Sequence, residues 1–407
     1  MDTMPNRCGR NYTASVRISD KGVDGVARTV RVDVNPEVLL WAVENSGRKT
    51  QIVKQIPMLD KWLSGEVKPT LRQLEDLAKK AYVPLGTLFL LEPPEEKLPI
   101  PSYRTFGDDF VDRPSRNLLD TVRVMVRRQS WLREYLIEDG ALPKGYVGAF
   151  TVKDDYRVVA DDIRETLNLP DNWAQEERNW ENALVRLFGA AEDAGIMVVR
   201  NGVVENNTFR RLDLEEFRGF VLVDEYAPLV FINGTDYKAA QMFNLAHELA
   251  HIWLGTSAVF DLALLQPADH DVERACNAIA GEFLVSQARL LEEWRSVDSP
   301  EDAFYGMARQ FKVSPLVVAR RALDLQLVSN YVYDEFYREY ISNIPDREAS
   351  DGGNFYRNQN YRVGRLFLTH VVTALREDRL LYRDAYQLTG LRGETFSRYA
   401  AQQVEEV

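Results

Sequence analysis

Apolar and polar residues follow two different periods along the chain, and the longer period predicts mostly helices. Apolar residues recur three or four positions apart through residues 36–91, which is the spacing of an amphipathic helix. The same spacing predicts a long helix over residues 114–140 and another over 175–194, each ending at a glycine that suits a helix C-terminus. Helical patterning resumes near Tyr237 and continues to the end of the chain.

Three short runs rich in Val, Ile and Phe interrupt this pattern and predict β-strands at residues 196–200, 219–223 and 229–233. The last two are predicted to form a hairpin that turns through the sequence DEYAP. For the glycine- and asparagine-rich segment 349–360 we expect a mobile loop, which is also a candidate for a segment that blocks a site until a signal releases it. Segment 91–105 contains four prolines and no apolar period, and it predicts a domain boundary.

Composition narrows the class of protein. The chain has 407 residues, of which 45% are hydrophobic and 28% charged, as in a soluble globular protein of more than one domain. A net charge of −12 argues against broad, non-specific binding of nucleic acid by the whole molecule. We expect neither a membrane span nor a secretory signal, and the two cysteines, Cys8 and Cys276, cannot build a disulfide framework. These features favour a cytoplasmic protein with no membrane partner.

The chemistry-bearing pattern is HELAH at residues 247–251. His247 and His251 are four positions apart, so on a helix both side chains leave the same face and can converge on one ion. Glu248 completes the HExxH pattern, and from that position a carboxylate reaches a metal-bound water without binding the metal. Apolar residues surround the motif, as in a buried helix. The pattern therefore predicts a zinc site with Glu248 as the general base.

A catalytic zinc site needs a third protein ligand, and the helical stretch 271–285 offers one. Glu273 is the preferred candidate, because it lies 22 positions after His251, a distance that a helix–loop–helix return spans. Asn277 falls on the same helix face and can hydrogen-bond the outer nitrogen of a ligand histidine. Glu282 faces elsewhere by helical angle, which favours a structural role, and His270 remains an alternative ligand.

Such a site predicts hydrolysis of a carbonyl compound. Zinc lowers the pKa of a bound water toward ~7, and Glu248 takes the proton as the water attacks. The metal and a nearby donor stabilise the oxyanion, for which Tyr237 and His270 are the candidates.

These motifs resemble those of the ImmA/IrrE family of zinc metallopeptidases. The stretch VFINGTDYKAAQMFNLAHELAHIWLG, followed by ERACNAIAGEFLVS, is similar to that family's strand ending in Asn, its HELGH-like helix and its E-x-E-A-N-x-F-A-A-E helix. Ala250 and Ala275 depart from the pattern, but neither stands at a ligand position. The resemblance covers roughly residues 100–330. It implies that His247, His251 and Glu273 are the ligands of Zn²⁺, that Glu248 is the general base, and that the fold is α+β and predominantly helical, with a zincin-like core and a small antiparallel sheet.

The flanking regions carry further resemblances. The N-terminal segment resembles the helix-turn-helix domain of phage-repressor-like (XRE-type) regulators, although the interval between Gly47 and Trp62 is too short for two complete helices and a turn. The expected regions are a loosely ordered tail (1–30), a shortened helix-turn-helix-like domain (31–97), a zincin-like metallopeptidase domain (98–290), a helical helix-turn-helix-like extension (291–330) and a C-terminal helical region (331–407). Candidate DNA contacts are Arg48, Lys49, Lys54 and Lys61, and a solvated basic face is the equal alternative.

Two functions follow as expectations. The first is a zinc-dependent endopeptidase that cleaves a protein regulator such as a repressor and carries a regulatory N-terminal domain. The second is an antitoxin or transcriptional regulator that binds DNA or a partner toxin, with proteolysis absent or secondary. The second arises because the C-terminal part resembles the tails of longer family members that act as antitoxins paired with PIN-like ribonuclease toxins.

Overall fold

The computed structural model describes residues 31–96, 98, 102–104, 114–261, 271–295, 299–343 and 355–405. These residues form two compact units. The first, N-terminal unit consists of residues 31–96 and 114–119, and the second unit consists of the other described residues. The α-helices are α1 (Pro36–Asn45), α2 (Lys49–Gln55), α3 (Leu59–Leu63), α4 (Leu71–Ala81), α5 (Arg116–Glu138), α6 (Tyr156–Thr166), α7 (Trp180–Asp193), α8 (Lys238–Trp253), α9 (Asp271–Leu284), α10 (Gln287–Trp294), α11 (Pro300–Phe311), α12 (Pro315–Asp324), α13 (Asn330–Ser342), α14 (Phe355–Val363), α15 (Arg365–Arg376), α16 (Tyr382–Thr389) and α17 (Gly393–Glu405). The strands are β1 (Ser102–Arg104), β2 (Met197–Asn201), β3 (Val203–Val204), β4 (Asn207–Arg211), β5 (Gly219–Leu222), β6 (Leu229–Asn233) and β7 (Ala258–Asp261).

The N-terminal unit is helical, as its periodicity predicts. Pro36 occupies the first turn of α1, and the Asn35 side chain caps that helix by accepting from the Glu37 N–H. Gly47 follows the end of α1 with a φ of +65°, a conformation that glycine adopts without strain. The interval that follows holds only α2 and α3, of seven and five residues. A 3₁₀ helix at Leu85–Phe89 completes the unit.

The second unit is built on a five-stranded sheet of order β1-β7-β5-β6-β2. The predicted hairpin is present, since β5 and β6 pair antiparallel with Phe220 opposite Phe231. The expectation of a wholly antiparallel sheet is wrong, because β2 pairs parallel with β6 and β1 pairs parallel with β7. The chain reverses between β2 and β5 through the separate β3–β4 pair, so the hairpin brings β6 back in the direction of β2. With this mixed sheet, the predominantly helical α+β class is confirmed.

Helix α8 lies at the centre of the core. It packs against β5 and β6 on one side and against α6, α7 and α9 on others, and its residues from Gln241 to Trp253 are all buried. A helix that is buried on every side belongs to the interior of a domain. Trp253 fixes its C-terminal end, since its indole stacks on Tyr146 at 4.6 Å between centroids and donates to Asp162 at 2.6 Å.

Two helices begin elsewhere than the sequence predicts. Helix α7 starts at Trp180 rather than near residue 175, because the Asn179 side chain accepts from the Asn182 N–H and caps the helix there. The expected loop over 349–360 is wrong for residues 355–360, which form the first part of α14, while 349–354 lie outside the described residues. None of the helices in the described ranges combines the length and apolar character that a bilayer span requires.

Candidate metal centre

The centre forms where α8 and α9 face each other. Helix α8 presents His247, Glu248 and His251, and α9 presents Glu273, and these four side chains are at most 1% exposed. Ionisable and polar side chains are rarely so completely buried unless they are paired or bind a metal. Their burial inside an otherwise apolar core is therefore the feature that needs an explanation.

Three donor groups converge within bonding distance of a single ion. The Nε2 atoms of His247 and His251 are 3.1 Å apart, and the Glu273 carboxylate oxygens lie 3.2 and 3.4 Å from those same two nitrogens. A tetrahedral metal with bonds of about 2.0–2.1 Å separates its ligand atoms by about 3.3 Å. Each of these contacts is close to that spacing, and the donor set of two imidazoles and one carboxylate fits a divalent metal.

Each histidine is oriented by a partner on its outer nitrogen. The Nδ1–H of His247 donates to the Asn277 Oδ1 at 3.0 Å, and Nδ1 of His251 lies 2.9 Å from the Thr256 hydroxyl oxygen. An amide oxygen only accepts, so the proton of a neutral His247 is on Nδ1 and the Nε2 lone pair faces the centre. Burial lowers the pKa of His247, which favours this neutral form.

Glu248 directly follows His247 on α8, and its side chain has no hydrogen-bond partner among the described residues. Both of its carboxylate oxygens are buried and unpartnered among the residues that the structure describes. Burial, and then the charge of Glu273, raise its pKa well above the ordinary value of a glutamate. A carboxylate in this state accepts a proton readily, as a general base must.

The turn before α8 ties the sheet to this helix. The Asp236 Oδ2 accepts from Arg218 at 2.6 Å and from Asn244 on α8 at 3.1 Å. Arg218 directly precedes Gly219, the first residue of β5, whose missing Cβ would lie 2.8 Å from the Glu248 Oε1. The end of the sheet is therefore held against the side chain of Glu248.

Other candidates from the sequence lie elsewhere. Tyr237 directly precedes α8, ten residues before His247, and its role at an oxyanion stays a prediction. Glu282 is buried in an ion pair with Arg321 and accepts from the Gln287 N–H, as a structural carboxylate does. His270 lies outside the described residues.

The candidate DNA contacts belong to the N-terminal unit. Arg48 donates to the Tyr82 hydroxyl at 2.8 Å, and Lys49 pairs with Glu44 at 2.9 Å. Lys54 and Lys61 are exposed. Their role in DNA binding stays a prediction.

Two neighbours of the centre, Thr256 and Cys276, are absent from the site that the sequence predicts. Thr256 follows the positive-φ turn at Gly255, and only the folded turn brings it to His251. Cys276 places its sulfur within 4.8 Å of donor atoms of His247 and His251, forming a group that can hold a metal ion. Its position three residues after Glu273 is the one signal that could have identified it. Burial, together with the charges of Glu273 and Glu248, raises the pKa of this thiol.

Comparison with known families agrees with this geometry. Residues 191–323 match the IrrE N-terminal-like domain, a family of M78 peptidases. The matched segment of the IrrE N-terminal-like domain contains β2 to β6, α8 and α9, and so every residue of the centre. The match begins at residue 191, whereas the resemblance predicted from the sequence begins at about residue 100. The match supports a relationship to the ImmA/IrrE family and a metallopeptidase type of function, and the family is generally metal-dependent.

A second family, a domain of unknown function (DUF8813), matches residues 363–402, which span α15 and α16 and most of α17. Comparison with curated proteins and with solved structures gave no match.

Proposed function

We propose that the protein is a zinc-dependent endopeptidase that cleaves a protein regulator such as a repressor. His247, His251 and Glu273 would hold the zinc, Asn277 would orient His247, and Glu248 would act as the general base. The observation that carries the proposal is the buried convergence of two imidazole nitrogens and one carboxylate group, with contacts of 3.1 to 3.4 Å, and the unpartnered carboxylate of Glu248 on the same helix as the histidines.

The residues divide the reaction between them. Zinc, when bound, supplies a Lewis acid that polarises the peptide carbonyl and makes a water molecule more acidic. Glu248 accepts the proton of the attacking water at a carboxylate oxygen and then returns it to the leaving amine nitrogen. The surrounding apolar core excludes bulk water and strengthens the electrostatic interactions within the site.

Metal content and turnover test the proposal separately. We expect close to one zinc per chain in the wild type and far less in Glu273→Ala, measured by elemental analysis of protein purified without added metal. Glu248→Gln should keep the zinc and lose hydrolysis by about a hundredfold or more. Exposed Glu301 on α11 provides the control, since Glu301→Gln should change neither quantity. A folded wild type without metal would overturn the proposal.

The substrate can be sought with the same pair of proteins. New protein N-termini that appear in a cell lysate treated with the wild type, and not with Glu248→Gln, would identify cleaved regulators. If no new termini appear with zinc-loaded protein, the endopeptidase function fails.

The alternative function is that of an antitoxin or transcriptional regulator that binds a PIN-like ribonuclease toxin or DNA. It is supported by the separate N-terminal helical unit, which exposes Lys54 and Lys61 near its two short helices. A binding protein would keep its biological effect in Glu248→Gln. Loss of DNA affinity in a variant with Arg48, Lys49, Lys54 and Lys61 all changed to Ala would support DNA binding through this unit.

A further inference from the structure

Cys276 lies on the same face of α9 as Glu273. It follows Glu273 by three residues, so the two side chains leave the helix on the same side. Cys276 is 0% exposed, and its Sγ atom and one ligand atom of each histidine all lie within 4.8 Å of one another. Residues from two helices thus bring a sulfur atom close to both histidines of the centre.

The separation between the Cys276 sulfur and the histidine nitrogens can be compared with the separation in a metal site that contains a bonded sulfur. With a Zn–S bond of about 2.3 Å and Zn–N bonds of about 2.0–2.1 Å, a tetrahedral ion separates sulfur from nitrogen by about 3.6 Å. From a separation of at most 4.8 Å, the sulfur needs to approach by about 1.2 Å or less.

A thiolate at this point changes the type of centre. A catalytic zinc site has three protein ligands and leaves the fourth position to water, whereas a site with four protein ligands is closed. His247, His251 and Glu273 supply three donors on their own. A fourth donor from Cys276 would occupy the position of the water.

We propose that the thiolate of Cys276 is a fourth protein ligand that closes the metal centre and keeps it latent. The inference rests on the metal site of the proposed function. Binding of the sulfur would release the thiol proton and displace the water from the fourth position. Its dissociation would let a water return and the sulfur regain a proton, so exchange between Cys276 and water would switch the centre between closed and open forms.

X-ray absorption at the zinc edge tests this on the full chain loaded with one equivalent of zinc. We expect one sulfur at about 2.3 Å and three nitrogen or oxygen atoms at about 2.0–2.1 Å. In Cys276→Ala the sulfur should disappear and be replaced by oxygen, while the other donors remain. Cys8→Ala is the matched control, because it removes the only other cysteine and should leave the sulfur in place.

The outcomes separate this inference from the proposed function. Zinc bound by the wild type through nitrogen and oxygen alone would overturn the role of Cys276 and leave the peptidase proposal standing. Sulfur that persists in Cys276→Ala would overturn it as well. A folded wild type that takes up no zinc would overturn the metal site itself, and the ligand role of Cys276 with it. Because the first measurement uses the wild type, a variant that fails to fold does not prevent the test.

Discussion

Gly219 is the residue at which the sheet comes closest to the side chain of Glu248. A Cβ at this position would lie 2.8 Å from the Glu248 Oε1 and 2.9 Å from the Phe231 carbonyl oxygen. Real Cβ atoms do not approach other atoms so closely, so either the carboxylate or the β5–β6 pairing must shift. Glycine therefore lets the backbone of β5 lie directly against the proposed general base.

Gly219→Ala should displace Glu248 while leaving the three metal donors in place. We expect zinc content to stay near the wild-type value, peptidase turnover to fall by about tenfold or more, and the free energy of unfolding to fall by about 1–3 kcal/mol. Elemental analysis, a turnover assay and urea unfolding measure the three effects. Gly306→Ala is the control, since a Cβ there meets no atom within 4 Å, and that variant should keep its activity and be as stable as the wild type or more stable by up to about 1 kcal/mol. Unchanged turnover in Gly219→Ala would refute the role of this contact.

The residues of the centre differ in how far sequence alone predicts their positions. The four-residue spacing of His247 and His251 defines a helix face, and the period of α9 does the same for Glu273 and Asn277. These are local regularities, and the folded positions of the side chains follow from them. The approach of Gly219 to Glu248 depends on how a strand packs on a helix, which no period in the sequence encodes.

At the scale of elements, Glu192 links α7 to the start of α15. Its Oε1 accepts the backbone N–H of Leu366 at 3.1 Å, and its Oε2 lies 3.3 Å from the Arg365 Nε. Helix α15 begins after Gly364, which has no side chain to cap it. The Glu192 carboxylate, 8% exposed, thus satisfies a donor at the helix N-terminus, where negative charge is favourable.

Burial raises the pKa of Glu192 above its ordinary value of 4.5, although Leu366 and Arg365 oppose the shift. The folded protein therefore keeps a proton that the unfolded chain has lost, so this group's contribution to stability is full below pH 4.5 and declines as the pH rises through the folded pKa. Glu192→Gln keeps an acceptor for Leu366 but does not titrate. Urea unfolding at a series of pH values from 4 upward measures this effect. As the pH rises from 4.5 through the folded pKa of Glu192, the free energy of unfolding of the wild type should fall relative to that of Glu192→Gln. Parallel stability curves for the two proteins would contradict the prediction.

The sequence predicts the helices and strands whose own residues show a clear apolar period or an apolar run beside a turn. The β5–β6 hairpin shows as two apolar runs around a turn, and α8 shows as a long helical period. Strands β1 and β7 have no such signal. Strand β1 has three residues at the end of the proline-rich segment 91–105, and it becomes a strand only by pairing with β7. The parallel placement of β2 beside β6 likewise follows from a crossover, and not from the strand sequences themselves.

At the scale of the whole second unit, Arg128 joins the long helix α5 to the C-terminal helices. It is 2% exposed, and its guanidinium donates to the backbone carbonyls of Leu388, Arg362 and Thr389 at 2.8, 2.9 and 3.4 Å. These carbonyls lie at the ends of α14 and α16, more than 230 positions away in sequence. Burial lowers the pKa of Arg128 to about 10, so the side chain remains a cation at neutral pH.

Arg128→Met should therefore weaken the attachment of the C-terminal helices. Three carbonyls lose a charged donor, and the loss should lower the free energy of unfolding by roughly 3 kcal/mol, since each buried acceptor left unsatisfied costs about 1–3 kcal/mol and removal of the buried cation offsets part of that sum. Limited proteolysis should then cut within residues 355–405 first, with urea unfolding giving the energy. Arg127→Met is the matched control, because Arg127 is half-exposed and its ion pair with Glu205 spans 3.8 Å, a contact worth at most about 1 kcal/mol. Equal stability and equal cleavage patterns in the two variants would show that the C-terminal helices are held by their apolar contacts, without need of the buried guanidinium.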